Sequence, residues 1–350
     1  MKALLNRVKE TTTIPVSERS IENIFAAMLG SSEFWKIVDI SEEPLPLVAS
    51  VISILNGMGY VELGDKITLT EKGKRFIMKT GIYPRHDFTC KSCGGRGIEK
   101  ESFSMYLDRF KELVKNRPIP KHEFDQAFVT PETVMARVML MHSRGDLANR
   151  EIFVIGDDDL TSVAMMLTGL PKKIVVLDID RRLIDFIDRL SNEIGFTRIE
   201  LFTFDVRERL PDYIYRKFDV FITDPPETIY AIKAFIGRGI ASLKGAGCAG
   251  YCGITRRESS LEKWREMERI LVSEFNVVIT DIIRNFNEYV NWGYEEETRA
   301  WRLTPIKSKP SYNWYKSYMI RIQTLPNSRG FEDRIDADKE LYEDAESSTT

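Results

Sequence analysis

The sequence lacks the features of several common protein classes. Four cysteines in 350 residues do not make the disulfide framework of a small secreted protein. No apolar run approaches the roughly 20 residues that span a bilayer, and the N-terminus lacks the basic-then-apolar layout of a signal peptide. We therefore expect a cytoplasmic protein without a membrane partner.

The chain also carries little net charge. The 50 basic and 53 acidic side chains leave a formal charge of −3, so the chain has no general attraction to nucleic acid. Charged residues make up 29% of the chain, slightly above the usual ~25%, which is a weak indication of heat adaptation. The length exceeds one typical domain, so we expect two.

The G-x-G-x-x-G motif of dinucleotide-binding proteins is missing from the stretch around which the chain is organised. Ile152–Ile155 is an apolar run of strand length, followed by Gly156 and by Asp157, Asp158 and Asp159. Thr161 or Ser162 is expected to cap the helix that follows. Three carboxylates would repel a pyrophosphate, so the turn favours a cationic ligand: a sulfonium, an amine or a metal ion.

Strands and helices alternate regularly after this turn, which predicts an α/β fold with a Rossmann-like, doubly wound sheet over residues 131–330. Two final strands, 277–283 and 318–325, follow each other without a predicted helix between them and suggest an antiparallel edge hairpin. A capping box at Ser259 and Glu262 is expected to begin a helix, and Gly237 to follow the end of another.

Four successive strands end in carboxylates, and the carboxyl ends of parallel strands meet at one edge of a sheet. The residues are Asp157–Asp159, Asp178, Asp205 and Asp224. This layout is typical of enzymes that use S-adenosylmethionine or its decarboxylated form. There, the acid after the second strand accepts hydrogen bonds from the ribose hydroxyls, and the acid after the third meets the adenine amino group.

Residues 1–84 show the order helix, hairpin, helix, which resembles a winged helix. DNA binding and a role in packing or dimerisation are both compatible with this order. The segment 46–58, which would be the recognition helix, contains no Lys or Arg. It therefore could not neutralise the phosphates that dominate DNA affinity, and the packing interpretation is favoured.

Residues 85–130 form a connector that carries Cys90 and Cys93 in CKSCGGRG. One CxxC pair is half of a zinc site, which His86 or a second subunit could complete; otherwise it is a glycine-rich turn with two incidental thiols. Residues 331–350 are acidic and weakly apolar, which predicts a mobile tail.

The chain resembles the branched-chain polyamine synthases (N4-bis(aminopropyl)spermidine synthases) over nearly its whole length. The resemblance is carried by GDDDLTS at 156–162, VVLDID at 175–180, FITDPPET at 221–228, GITRRESS at 253–260 and FNEYVNWGYEEETRAW at 286–301. It implies that the aminopropyl group of decarboxylated S-adenosylmethionine is transferred to the secondary amine of spermidine. A second transfer would give a quaternary nitrogen and again release 5′-methylthioadenosine. No tightly bound cofactor or metal is implied, and we expect a homodimer.

The residues agree with this chemistry. Glu227 takes the place of the aromatic residue in the DPPY motif of amino-methyltransferases, and a carboxylate suits an ammonium acceptor. Aromatic faces beside carboxylates, as in residues 286–301, suit the methylenes and ammoniums of a polyamine. We expect the donor to contact Gln126, Gly156, Asp157, Asp158, Asp178, Asp205 and Asp224. We expect the acceptor to contact Asp159, Asp224, Pro225, Glu227, Glu258, Tyr289, Trp292 and Tyr294.

Asp159 is the predicted catalytic base. A protonated amine, with a pKa near 10, has no lone pair, so a base must remove its proton, a contribution of roughly 10²–10⁴-fold. Two alternatives stay open at this stage. One is a methyltransferase that acts on an amine, RNA or protein, and the other is a winged-helix regulator that senses polyamines.

Overall fold

The computed structural model describes residues 1–84, 88–99, 103–291 and 293–349. The N-terminal module consists of helices α1–α5 and the hairpin β1–β2. Their bounds are α1 Lys2–Thr11, α2 Glu18–Gly30, α3 Phe34–Ser41, α4 Leu45–Gly57, β1 Val61–Leu63, β2 Ile67–Leu69 and α5 Glu71–Thr80. The order helix, hairpin, helix is as predicted, and assignment as a winged helix stays a prediction.

The remaining elements form an α/β unit, as predicted. They are α6 Ser104–Leu113, α7 Pro131–Ser143, β3 Glu151–Ile155, α8 Thr161–Thr168, β4 Lys173–Asp178, α9 Arg181–Ile194, β5 Ile199–Thr203, β6 Val220–Thr223, α10 Ile229–Ala231, α11 Arg238–Ser242, β7 Ala249–Ile254, α12 Leu261–Arg269, β8 Val277–Glu288, α13 Arg299–Leu303 and β9 Lys316–Thr324. None of the helices in the described ranges is long and apolar enough to cross a membrane.

The seven strands β3–β9 form one sheet in the order β5-β4-β3-β6-β7-β9-β8. Strands β3 to β7 are parallel, and β9 and β8 close one edge in antiparallel pairing. The chain leaves β3 toward β5 on one side and returns to β6 on the other. The strand order therefore reverses between β3 and β6, where open α/β sheets bind their ligands.

Three local predictions are wrong. Ser260, not Ser259, caps α12, because the Ser260 side chain accepts the backbone N–H of Lys263. The short helix α13 lies between the two final strands. Gly237 does not follow a helix end, since a π-helical segment (Ile232–Gly237) joins α10 to α11 through it.

The C-terminal segment is packed against the domain, in contrast to the predicted mobile tail. Leu341 is fully buried, and Ile335 and Ala337 are nearly so. The buried guanidinium of Arg238 donates to the carbonyl oxygens of Phe331 and Asp333, both at 2.6 Å. Apolar side chains spaced among the acids and this internal cation together hold the segment in place.

One cluster of buried side chains connects the N-terminal module with the α/β unit. It extends from Leu4 and Val8 of α1 to Val134 of α7 and to Trp314 before β9. The domain limits expected near residues 84 and 130 stay predictions.

The CxxC turn leaves both thiols free, with Cys90 exposed and Cys93 partly exposed. His86 lies outside the described residues. Within the described ranges, no group of three or more His, Cys, Asp or Glu is arranged to hold a metal ion.

Candidate active site

A cavity of about 940 Å³, its open mouth included, lies at the carboxyl edge of the sheet between β3 and β6. Its walls come from the ends of β3, β4, β5 and β6, the loop before α7, and the C-terminal segment. The acids that line it are Asp125, Asp158, Asp178, Asp205, Asp224 and Glu227. No Lys, Arg or His is among the described lining residues, so the cavity favours cations.

Burial makes several of these acids reluctant to ionise. It raises the pKa of Asp178 and of Asp224 to about 6. It also raises the pKa of Asp125, Asp158 and Glu227 well above the usual range, and neighbouring carboxylates add to the rise. An entering cation would stabilise the charged forms and lower these pKa values.

The three successive aspartates point in different directions. Gly156 and Leu160 both have positive φ angles, 68° and 59°, and turn the backbone between strand and helix. Asp157 accepts from the backbone N–H of Thr161 at 2.7 Å and from the Ser162 hydroxyl. It therefore caps α8 and is not among the described residues that line the cavity, so its contact with the donor stays a prediction. The cap assigned to Thr161 or Ser162 is wrong.

Asp158 reaches the cavity wall, and its Oδ2 accepts from the backbone N–H of Ala127 at 3.1 Å. Asp159 is 3% exposed and is not among the residues that line the cavity. Its Oδ1 accepts from the backbone N–H of Val129 at 2.7 Å, and its Oδ2 forms an ion pair with Arg137. Because both oxygens are held beneath the wall, this arrangement does not support direct contact of Asp159 with the acceptor.

Arg137 joins this acid to the cavity wall. Its side chain is 2% exposed and donates to Asp159, to Asp224 Oδ2 at 2.5 Å and to Asn287 Oδ1 at 2.9 Å. The Tyr289 hydroxyl, on the opposite side, lies 2.8 and 2.7 Å from the two oxygens of Asp224. Asp224 is thus fixed in orientation by two neighbours.

Gly253 on β7 makes room for this carboxylate. A Cβ atom at that position would lie 2.0 Å from Asp224 Oδ1 and 3.1 Å from Asn287 Nδ2. The glycine in the motif GITRRESS is therefore required by the close approach of an acid from β6.

Three residues predicted to bind the donor line the cavity around the ends of β4 and β5. Asp178 accepts from the backbone N–H groups of Asp157 and Asp180, at 2.8 and 2.7 Å. Asp205 is paired with Arg207 at 2.6 Å. The Gln126 side chain donates to Asp180 at 3.2 Å and accepts from the backbone N–H of Lys121 at 2.8 Å, so it also orders its own loop.

Acids and the C-terminal segment surround the other end of the cavity. Glu227 lines it beside Pro225 and accepts from the backbone N–H of Thr255 at 2.7 Å. Glu258 is 2% exposed and lies behind the wall, where its Oε1 accepts from the backbone N–H of Ser348 at 3.0 Å. Because Ser348 and Thr349 of the C-terminal segment occupy this carboxylate, the arrangement does not support its direct contact with the acceptor, which stays a prediction.

Two further aromatic residues were predicted to contact the acceptor. Tyr294 donates its hydroxyl to the carbonyl oxygen of Gln126 at 2.5 Å and is not among the lining residues. Trp292 lies outside the described residues.

Several residues at the site were not predicted. Asp125 lines the cavity and accepts from the Thr349 hydroxyl at 3.0 Å. Tyr342 and Thr349 line it from the C-terminal segment. An arginine in the otherwise apolar run of α7 was an available indication of Arg137.

The comparisons with known proteins agree with this geometry. Residues 105–349 match the family model "Branched-chain polyamine synthase A C-terminal domain". The chain belongs to the branched-chain polyamine synthase family. The resemblance drawn from the motifs is thereby confirmed.

Two curated relatives are similar to the whole chain. The N(4)-bis(aminopropyl)spermidine synthase of Thermococcus kodakarensis is 65% identical, with all of both chains covered. The synthase of the same name from Methanocaldococcus jannaschii is 59% identical, again with all of both chains covered.

A solved structure resembles the family member described here. The branched-chain polyamine synthase C9 mutein from Thermus thermophilus, in complex with N4-aminopropylspermidine and 5′-methylthioadenosine, has a TM-score of 0.93 and 37% identity. The match covers 99% of this chain and 98% of the other. The Rossmann-like fold is therefore confirmed.

Proposed function

We infer that this chain is an aminopropyltransferase that acts twice on N4 of spermidine, with decarboxylated S-adenosylmethionine as the co-substrate. The 65% identity to an N(4)-bis(aminopropyl)spermidine synthase over the full length supports this inference. The structural observation that carries it is a cavity with six acids and no basic residue among its described lining. Both substrates are cations, and such a cavity offsets their repulsion.

The transfer forms one bond and breaks one. The lone pair of N4 attacks the methylene carbon beside sulfur, and the carbon–sulfur pair stays on sulfur to give neutral 5′-methylthioadenosine. The positive charge of the sulfonium thus moves to nitrogen. N4 must be unprotonated at the moment of attack, so a proton is lost before each transfer.

We propose that the donor lies on the side of β4 and β5. Asp178 would accept from the ribose hydroxyls, and the wall near Asp205 would face the adenine. Asp158 would hold the aminopropyl ammonium. A methionine carboxylate at the same place would meet this acid at close range, which favours the decarboxylated donor over S-adenosylmethionine.

The acceptor would occupy the side of Glu227 and Asp125. Asp224 lies on the wall between the two sides and is the acid with an elevated pKa, about 6, that Arg137 and Tyr289 orient. We therefore propose Asp224, and not Asp159, as the base. Asp159 would hold Arg137 in place through their ion pair.

Two variants test this assignment. Asp224→Asn should lower turnover by roughly 10²–10⁴-fold at every pH. Asp159→Asn should lose less turnover than Asp224→Asn. Its acid limb of kcat/KM for spermidine should move to lower pH, because the charge of Asp159 raises the pKa of Asp224. If Asp159→Asn is as inactive as Asp224→Asn at every pH, Asp159 is the base after all.

A product assay tests the function itself. Purified protein is incubated with spermidine and either decarboxylated or intact S-adenosylmethionine, and the masses of the products are measured by mass spectrometry. One and two added aminopropyl groups are expected with the decarboxylated donor. Methylated product with the intact donor alone would indicate a methyltransferase and contradict the inference.

We also propose that the chain is a cytoplasmic homodimer. The sheet edge formed by β8 supports an interface, since Val278 and Ile282 are exposed on it. Light scattering of the purified protein measures the subunit count.

A further inference from the structure

The N-terminal module has no part in the proposed chemistry, yet its longest apolar helix faces the rest of the protein. Helix α4, which would be the recognition helix of a winged helix, buries eight of its residues: Leu45, Pro46, Leu47, Val48, Ala49, Val51, Ile52 and Leu55. It also contacts α13 of the α/β unit. A surface used in this way is not presented to an external ligand.

The module holds the segment that follows β7, residues 255–260, which we call the acceptor-side loop. All six of its residues are buried. Asp39 of α3 forms an ion pair with Arg257 of this loop at 2.5 Å, and the backbone N–H of Leu45 donates to the carbonyl oxygen of Arg257 at 2.9 Å. Arg257 is fully buried, and the module contacts both its side chain and its backbone.

Asp39 is well suited to this role. Burial alone would raise its pKa, but the charges of Arg257, Lys316 and Lys36 outweigh burial and lower the pKa to about 2. Asp39 is therefore charged at neutral pH. Two buried or half-buried cations, Arg257 and Lys316, share this one carboxylate.

The opposite side of the acceptor-side loop contacts the active site. The backbone N–H of Thr255 donates to Glu227, which lines the cavity, at 2.7 Å. Ser260 binds Glu346 of the C-terminal segment through both its N–H and its hydroxyl, at 2.5 and 2.7 Å. The loop thus connects Asp39 of the module with the acceptor side of the cavity.

Further contacts fix the module against the same region. The Trp35 indole donates to the carbonyl oxygen of Ser308 at 2.7 Å and packs on Trp314 with ring centroids 4.7 Å apart. Glu42 pairs with Arg284 of β8 at 2.8 Å. Because Trp35 and Glu42 lie on either side of Asp39 in the sequence, several contacts and not a single pair fix this part of the module against the α/β unit.

We propose that Asp39 is a positioning residue for the acceptor: through Arg257, the N-terminal module orients the acceptor-side loop and thereby Glu227 and the C-terminal segment. This inference rests on the proposed aminopropyl transfer and adds a function for the module. Asp39 is not among the residues that line the cavity, so it would act through the loop and not by contact with either substrate.

The test is Asp39→Asn, which removes the charge and keeps the side-chain shape. We expect KM for spermidine to rise about 10-fold or more, as a small displacement of positioned groups costs up to about 10²-fold. The dissociation constant of 5′-methylthioadenosine, measured by calorimetry, should stay within about twofold, because the donor side does not contact the loop. Glu71→Gln is the matched control, since it removes an exposed acid of the same module, and should leave both constants unchanged.

The outcomes separate the possibilities. An unchanged KM for spermidine in folded Asp39→Asn protein overturns the proposal, and so does an equal weakening of 5′-methylthioadenosine, which would indicate a general loss of structure. If Asp39→Asn does not fold, Arg257→Gln is measured instead, because it removes the cation that pairs with Asp39 and leaves the backbone hydrogen bond from Leu45 in place. KM for spermidine should again rise while the dissociation constant of 5′-methylthioadenosine stays unchanged. An unchanged KM, or an equal weakening of both ligands, would again overturn the proposal. Failure of the wild-type protein to convert spermidine would instead refute the underlying function.

Discussion

Replacement of Arg137 by glutamine tests the electrostatic account of the site. The arginine is 2% exposed and neutralises two buried carboxylates, Asp159 and Asp224. Loss of one partner of a buried ion pair costs about 3–5 kcal/mol, because it leaves an uncompensated charge. We therefore expect Arg137→Gln to be destabilised by about this amount while it retains the fold.

The activity should change with pH in a defined direction. Burial raises the pKa of Asp224 to about 6, and Arg137 opposes that rise. Loss of a neighbouring opposite charge shifts a carboxyl pKa upward, so the pKa of Asp224 should rise above neutral in Arg137→Gln. At pH 7 the acid would be mostly protonated, kcat/KM for spermidine would fall about 10-fold, and it would recover at pH 9.

Stability should follow the same titration. A carboxyl whose folded pKa is raised above its unfolded value stabilises the fold most at low pH and loses that contribution as pH rises through the folded pKa. The loss from Asp224 is complete a little above pH 6 in the natural protein but continues toward pH 9 in Arg137→Gln. The free energy of unfolding of Arg137→Gln, measured by urea denaturation, should therefore lie further below that of the natural protein at pH 8 than at pH 6.

Arg144→Gln is the control, because Arg144 follows α7 and forms a half-exposed pair with Asp281. It should cost no more than about 1 kcal/mol and leave the pH profile unchanged. An equal loss of activity at pH 7 and pH 9 in Arg137→Gln would refute the reasoning, since it would mean that Asp224 is not the group whose titration limits the reaction.

Three further predictions concern the same cavity. Gly253→Ala should reduce spermidine turnover by about 10-fold or more, since its Cβ would displace Asp224. Gly245→Ala is the control and should match the natural protein, because nothing lies within 4 Å of that position. Equal turnover rates for the two variants would contradict the steric account. Arg238→Met should expose the C-terminal segment to limited proteolysis at least about 10-fold faster, because buried carbonyls lose their donor; an unchanged cleavage rate would show that apolar packing alone holds the segment. Spermidine binding at pH 7 should release protons, detected by calorimetry in buffers of different ionisation enthalpy, whereas neutral 5′-methylthioadenosine should release none; proton uptake with spermidine would argue against protonated acids in the free cavity.

The sheet and its acidic edge could be predicted because their causes are local. Short apolar runs that end in aspartate recur at each of the strands β3 to β6, and period and turn chemistry are enough to place them. Asp158, Asp178 and Asp224 therefore reach the cavity as expected.

The direction of side chains within one turn could not be predicted in the same way. Asp157, Asp158 and Asp159 are adjacent and chemically identical, and only the left-handed Leu160 decides which one caps a helix and which one reaches the wall. Arg137, the partner of Asp159, lies 22 residues earlier in the chain. The spacing of the two residues gives no sign of this long-range pair, although the arginine in the apolar run of α7 indicates a buried cation.

The C-terminal segment shows a different limit. Its composition is acidic, which favours solvation, yet four carbonyl oxygens from it and from the residues after β5 accept hydrogen bonds from one buried cation, Arg238. A composition rule averages over the segment, whereas the packing depends on a few apolar residues and one arginine elsewhere.

The charge of the product explains why acids line the cavity while no Lys, Arg or His is among its described lining residues. The first transfer leaves N4 as a tertiary ammonium that can lose its proton, but the second leaves a quaternary nitrogen that carries its charge at every pH. A site that used a fixed Lys or Arg to neutralise its walls would repel that product and the transition state that leads to it. Acids with raised pKa values would avoid this repulsion, because their protonated forms are neutral and an entering polyamine lowers their pKa values. The buried cation Arg137 accordingly pairs with Asp224 from behind and is not among the residues that line the cavity.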